Sequence, residues 1–201
     1  MTVALDLNIP ALYGGCIEYY PDFLGETESS LLLDRLWNEL QWSRTEITLF
    51  GRAVMQPRLV AWYGDPEVRY SYSGITLDPI AWHPSLLEIK CRIEAFTGRH
   101  FNSVLANAYR DGRDSMGWHR DDEKELGPEP FIASLSLGEE RRFLLRENGK
   151  KSVGLTLESG SLLLMRDSCQ QKFQHALPKT RRKIGLRINL TFRAVKSQAP
   201  V

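Results

Sequence analysis

A chain of 201 residues with 42% apolar and 25% charged side chains has the composition of one soluble globular domain with a core of its own. Its longest apolar runs, Leu31 to Leu33 and Leu162 to Met165, are far too short to span a bilayer, so no membrane partner is expected. The net charge of +1 conceals an asymmetry, because residues 141–196 hold 14 Lys and Arg against 3 Asp and Glu, whereas residues 1–140 hold 12 against 22. The basic part suits a polyanion such as nucleic acid, unless the acidic part folds back and neutralises it; charge alone leaves both readings open. The opening MTVALDLNIP carries acids and no basic run, which predicts no signal peptide. Three widely spaced cysteines, Cys16, Cys91 and Cys169, argue against a disulfide framework and for a reducing compartment.

In chain order, residues 27–40 (TESSLLLDRLWNEL) open on Thr27 and place Leu32, Leu33, Leu36, Trp37 and Leu40 at helical spacing, which predicts a first helix. Residues 41–76 follow neither the helical nor the strand period. Phe50-Gly51, Pro57-Arg58, Tyr63-Gly64, Tyr70, Tyr72 and Gly74 read as irregular strand and loop, rich in aromatic and basic groups. That composition suits a binding lid and equally an ordinary hairpin with tyrosines on its outer face. Residues 84–97 (PSLLEIKCRIEAFT) start on Pro84, put Leu86, Ile89, Ile93 and Phe96 on one face and stop before Gly98, a second helix.

From residue 102 the pattern changes to short strands: NSVLANAY, FIASLSL, RFLLR, SVGLTL, GSLLLMR and IGLRINLTFR, with Asn148-Gly149 as one of the turn signals. Two helices ahead of these strands predict an α+β, mainly β domain, a sandwich or jelly-roll with helices packed on one sheet. A jelly-roll has an open mouth that can hold a small cofactor.

One stretch carries chemistry. MGWHRDDEKELG places His119 two residues before Asp121, and in an extended segment their side chains point the same way. A solvated acidic loop is the plain alternative, and a metal site needs a third ligand. Among four histidines, His175 in QKFQHALP is the best candidate; His83 and His100 have no carboxylate two residues on and read as structural. Two histidines and a carboxylate are the facial triad of non-haem iron(II) oxygenases. The last strand sorts Ile184, Leu186, Ile188, Leu190 and Phe192 to one face and Arg187, Asn189, Thr191 and Arg193 to the other. Two arginines flanking an asparagine make a good receiver for a carboxylate if that face turns inward. Leu105, Asn107 and Tyr109 share a face in NSVLANAY and add two neutral hydrogen-bonding groups.

His119-x-Asp121, His175 and the run Arg187-Ile188-Asn189-Leu190-Thr191-Phe192-Arg193 resemble the AlkB family of iron(II)- and 2-oxoglutarate-dependent dioxygenases. ANAYRDGRDSMGWHRDDEKELG and IASLSLG are similar to the same family, closest to its DNA-repair members. The resemblance implies a double-stranded β-helix (jelly-roll) with supporting helices and an N-terminal nucleotide-recognition lid. It places the lid at approximately 45–76 and the catalytic core at approximately 102–193, within one domain over 1–201 that works as a monomer. It implies His119, Asp121 and His175 as iron ligands, and Arg187, helped by Tyr109, as the partner of the distal carboxylate of 2-oxoglutarate. Asn107 and Asn189 would hold the metal-bound end of that cosubstrate. Arg193 would sit between cosubstrate, Asp121 and target base. Glu123 would read the exocyclic amine of a flipped base, Tyr72 would stack on it opposite His119, Phe50 would fill the gap left in the duplex, and Arg58 would join them from the lid.

The activity so implied is oxidative demethylation of 1-methyladenine- and 3-methylcytosine-type lesions in single- or double-stranded DNA. It would use Fe(II), 2-oxoglutarate and O2 and release formaldehyde, succinate and CO2, in the cytoplasm or, in a eukaryote, the nucleus. Three other readings compete. The same chemistry could act on RNA, free nucleotides or a protein side chain. A non-catalytic module for damaged bases would need a broken triad, and this triad is whole. A zinc hydrolase using His, Asp and His leaves Arg187 and Arg193 without a role.

Overall fold

The computed structural model describes residues 15–44, 46–49, 52–68, 70–72, 75–77 and 79–196, with the backbone alone at 47–49, 52–53, 70–72 and 75–77. In the first part of the chain come β1 (Ile17–Tyr20), α1 (Glu26–Glu39), β2 (Glu46–Leu49), β3 (Arg52–Met55), β4 (Leu59–Gly64), β5 (Tyr70–Tyr72), β6 (Ile75–Leu77) and α2 (Pro84–Thr97). The strand-rich part follows: β7 (Ser103–Tyr109), β8 (Met116–His119), a 3-10 turn at Lys124–Leu126, β9 (Ile132–Gly138), β10 (Arg141–Glu147), β11 (Val153–Leu157) and β12 (Leu162–Met165). The one-turn helix α3 (Cys169–Lys172), β13 (Phe173–Leu177) and β14 (Arg187–Arg193) complete it.

The strands form a six-stranded antiparallel sheet in the order β1-β12-β9-β14-β7-β4 and a four-stranded one in the order β11-β10-β13-β8. This is the jelly-roll, a double-stranded β-helix. Period-two alternation decides which residues fill each side of the large sheet. Val104, Ala106, Ala108, Leu135, Leu137, Ile188, Leu190 and Phe192 pack under Leu32, Leu36, Leu86, Ile89 and Ile93 of the two helices. Each fully buried Val, Leu, Ile or Phe of this set stabilises the fold by roughly 1.5–3 kcal/mol, the alanines by less. Between the sheets a second core joins Ile17, Ile132 and Leu163 to Phe143, Leu145, Leu157 and Phe173. The remaining inward face of the large sheet is polar, and there the site forms.

Both predicted helices are present. The first begins at Glu26, one residue before Thr27; Gly25 is its N-cap, and Glu26 and Glu28 in the first turn suit the positive end of the helix. The second starts on Pro84 and ends at Gly98 in the left-handed conformation, φ 66°. His83 caps it, its Nδ1 accepting from the Ser85 amide at 3.2 Å while Nε2 lies 3.0 Å from Glu39. His100 lies 2.9 Å from Glu94, so both histidines read as structural do serve the scaffold.

The described parts of residues 41–76 are more regular than the irregular strand and loop expected there. The hairpins β2–β3 and β5–β6 flank β4, which is an edge strand of the large sheet paired with β7 from Leu59↔Ala108 to Gly64↔Ser103. Residues of β4 are covered on both faces, with Ala61 and Tyr63 in the helix-side core and Trp62 against Val68, Leu126 and Val195. An all-apolar strand shows no alternation to read. Gly64 closes it where a Cβ would stand 2.8 Å from the Asn102 carbonyl oxygen. The sheets also recruit β1, paired with β12, so the strands of the core extend beyond residues 102–193.

Candidate active site

His119 ends β8 and His175 lies in β13, and the two are direct partners across these strands, with ring centroids 4.1 Å apart. The pairing shifts register between His175 and Leu177. Asp121 follows β8 in a loop, outside any strand, and still turns inward. One ligand atom from each of the three lies within 4.8 Å of the others.

Hydrogen bonds and burial set their protonation. His119 Nδ1 donates to the Gly117 carbonyl at 2.8 Å, which leaves Nε2 as the lone-pair nitrogen on the Asp121 side. Burial pushes His175 down to about 3, and the neighbouring His119 and Arg193 act the same way. Burial lowers His119 as well. Burial would by itself raise Asp121, but Arg193, His175 and His119 outweigh it and hold the carboxyl well below the carboxylate range. Arg193 Nη2 stands 2.9 Å from Asp121 Oδ1. The cluster therefore offers two neutral imidazoles and one carboxylate, already in the forms that bind metal. That donor set fits a divalent first-row metal such as iron(II).

The four polar residues of β14 line the same cavity, and all seven residues of the strand are buried. Its polar face is therefore not a solvated one. Arg187, 2% exposed, donates from Nη2 to Ser136 Oγ at 2.9 Å, while its buried Nε has no hydrogen-bond partner among the described residues. Burial depresses it to about 10. A buried guanidinium with an open donor calls for a carboxylate, so the residues present fit a dicarboxylate cosubstrate. Tyr109 lies between two guanidiniums, Arg187 at 5.2 Å and Arg141 at 5.7 Å from its ring centre.

The two asparagines differ. Asn107 Oδ1 accepts from Arg58 Nε at 2.7 Å, which fixes the orientation of its amide. Asn189 gives Nδ2 to Ser134 Oγ and the Leu135 carbonyl, and its Oδ1 accepts from Thr191. Its donor is thus engaged within the sheet, and Asn107 is the better placed of the pair to meet a ligand. Arg58, read as a lid residue, is 3% exposed and lines the cavity beside His119 and Arg193.

Of the residues singled out in the sequence, the cavity brings together His119, Asp121, His175, Asn107, Tyr109, Arg187, Asn189, Arg193 and Arg58. Glu123 sits on the same loop as Asp121, half-buried at the start of the 3-10 turn, but does not line it. Phe50 lies outside the described residues, and of Tyr72 only the backbone, in β5, is described. Sequence reading missed Ser134 and Ser136, although their alternation in FIASLSL marks the same face, opposite Thr191 and Asn189. It also missed Arg141, which is 3% exposed and donates to the Asp111, Asp114 and Pro178 carbonyls.

Residues 16–193 match the family model of the 2OG-Fe(II) oxygenase superfamily. The human protein named alpha-ketoglutarate-dependent dioxygenase alkB homolog 3 is 42% identical over 187 residues, 88% of this chain and 65% of its own. The chain thus spans just under two thirds of that relative's length. The mouse protein named DNA oxidative demethylase ALKBH2 is 38% identical over 88% of this chain and 79% of its own. A solved structure titled as that of OsALKBH1 superposes with a TM-score of 0.66 over 89% of this chain and 97% of that one, at 18% identity.

Proposed function

Because the chain belongs to the AlkB family within the 2OG-Fe(II) oxygenase superfamily, we propose that it is a DNA oxidative demethylase, acting on 1-methyladenine- and 3-methylcytosine-type lesions. The observation that carries this reading is one cavity lined by the His119–Asp121–His175 cluster and by a buried Arg187 whose Nε is left open among the described residues. The relatives named above, an alpha-ketoglutarate-dependent dioxygenase and a DNA oxidative demethylase, support the same chemistry and substrate class.

In this reading His119 Nε2, His175 and the Asp121 carboxylate hold iron(II), and Arg187, backed by Ser136 and Tyr109, receives the distal carboxylate of 2-oxoglutarate. Asn107, steadied by Arg58, faces the metal-bound end. Arg193 keeps Asp121 ionised and aimed at the metal. When bound, the iron with 2-oxoglutarate and O2 supplies the oxidising power that hydroxylates the methyl carbon. Phe143, Leu157, Leu177 and Met165 form an apolar wall that keeps water from the reacting centre. The hydroxymethyl amine left on the base then loses formaldehyde, which restores the pairing edge without cutting the strand.

Methyl groups at N1 of adenine or N3 of cytosine block Watson–Crick pairing, so such bases are the least costly to flip. Exposed Arg181, Arg182 and Lys183, on the loop ahead of β14, are suited to phosphates. The test is formaldehyde release from methylated single- and double-stranded DNA and RNA, with and without 2-oxoglutarate. Release from DNA that requires 2-oxoglutarate is expected. Succinate formation with no base-derived formaldehyde on any nucleic acid would reject the substrate assignment.

A further inference from the structure

Asp121 has no strand to fix it. β8 stops at His119, and the 3-10 turn begins only at Lys124. Its backbone is instead held from α3, where Gln170 Oε1 accepts from the Asp121 N–H at 3.0 Å. Both residues are buried, Gln170 at 1% and Asp121 at 3% exposure. The next residue, Gln171, donates from Nε2 to the Pro128 carbonyl at 2.8 Å. Two successive glutamines therefore clasp the loop at 121 and at 128. The same short helix leads directly into β13, which carries His175.

The orientation of the Gln170 amide follows from its neighbours. An N–H needs an acceptor, so the carbonyl end faces Asp121. The NH2 end then meets Met165 Sδ at 3.4 Å, a weak acceptor on the cavity wall. The stronger of the two contacts is the one to Asp121. Arg193 holds the carboxylate of that residue from the other side. Main chain and side chain of one acidic residue are thus anchored by different elements, α3 and β14.

We propose that Gln170 is a positioning residue for the metal centre, fixing the main chain of Asp121 so that its carboxylate stands in reach of the ion held by His119 and His175. This rests on the reading of those three residues as metal ligands. Partners that orient ligands without touching the metal are typically worth about 10–100-fold in affinity or activity. A glutamine that merely filled the core would affect melting and leave the metal's surroundings alone.

The test is cobalt(II) titration of the full, metal-free chain, followed by its visible absorption, which reports ligand geometry without turnover. Gln170→Leu is expected to weaken cobalt binding by about 10–100-fold and to change the spectrum. Gln171→Ala, which loosens the far end of the loop, is expected to leave both near the parent. Should Gln170→Leu not fold, Gln170→Asn carries the test, since its arm is one methylene too short to reach the Asp121 amide. A folded Gln170 variant with the parent's affinity and spectrum overturns the proposal, as does an equal loss in the Gln171 variant. If the parent itself binds no cobalt, the metal-site reading falls and this inference with it; if the parent binds and the variants bind alike, only the inference falls.

Discussion

His175 and His119 stand face to edge across neighbouring antiparallel strands, their ring planes 64° apart, so that backbone pairing itself brings the two proposed metal ligands together. The strands, not the rings, provide that pairing. Replacing His175 by Ala should therefore leave the fold and the melting transition largely intact. It should lower turnover by at least about 100-fold, beyond the 10–100-fold range for a partner one step removed from the metal. Metal content and formaldehyde release measured on the same preparation check it, and full iron occupancy with activity would remove His175 from the ligand set.

Arg187 gives a prediction with two signs. Among the described residues the buried cation has no carboxylate partner, which destabilises the ligand-free fold. Arg187→Met should leave the ligand-free melting temperature unchanged or raise it. The same change should abolish the rise that 2-oxoglutarate gives the parent, because the anion loses its partner. Breaking such a charge pair costs on the order of 2–5 kcal/mol, so the cosubstrate requirement should rise by tens-fold or more. Equal thermal stabilisation of parent and variant by 2-oxoglutarate would exclude the role.

The proposed base-reading role of Glu123 is separable from metal binding by experiment. It lies on the loop of Asp121, two residues on, and does not line the cavity. Glu123→Ala should keep metal binding and substrate-free 2-oxoglutarate turnover while impairing demethylation. Loss of metal in this variant would mean that the two carboxylates exchange roles.

Scaffold electrostatics give a pH prediction away from the site. Glu94 Oε1 accepts from the Phe101 amide at 2.8 Å and meets Lys90 at 3.0 Å and His100 at 2.9 Å. Burial works to raise this carboxyl, and these three neighbours outweigh it, so its pKa is lowered. Its stabilising effect is present above the unfolded value of about 4.3 and fades as the pH falls through the lower folded value. Glu94→Gln should melt below the parent at pH 7, by about 2–4 °C for each kcal/mol lost. The gap should close as the pH drops below about 4. A gap that is constant from pH 7 to pH 3 would assign the effect to packing.

Phe50 and Tyr72, the proposed wedge and stacking platform, are distinguished by strandedness. Flipping a paired base costs a few kcal/mol, and an inserted aromatic recovers part of that through contacts worth roughly 1–3 kcal/mol. Phe50→Ala should lower repair of duplex far more than of single strands, and Tyr72→Ala should lower both. Equal losses on the two substrates for Phe50→Ala, with a lower melting temperature, would instead make Phe50 a packing residue.

The legibility of this molecule in its sequence follows from what covers each strand. β7, β9 and β14 separate an apolar face under the helices from a polar one over the cavity, so period-two patterns are visible. β4 is apolar on both faces and β1 is only four residues long, so neither announces itself before its partner is known. The His119–Asp121–His175 cluster was legible because histidine is rare here and its spacing to Asp121 is local. Arg141 and Gln170 were not, because each takes its part from a neighbour distant in sequence, the Pro178 carbonyl and the Asp121 amide.

The two faces of β14 also constrain how this chain can change. One added or deleted residue there would turn Arg187, Asn189 and Arg193 into the helix layer and send Ile188, Leu190 and Phe192 into the cavity. The turn at Asn148-Gly149, between β10 and β11, belongs to neither face of β14, and the Asn148 side chain ties it to the site by accepting from Arg120 at 3.5 Å. Along β14, what reaches the cavity can therefore change only by substitution, one alternate position at a time.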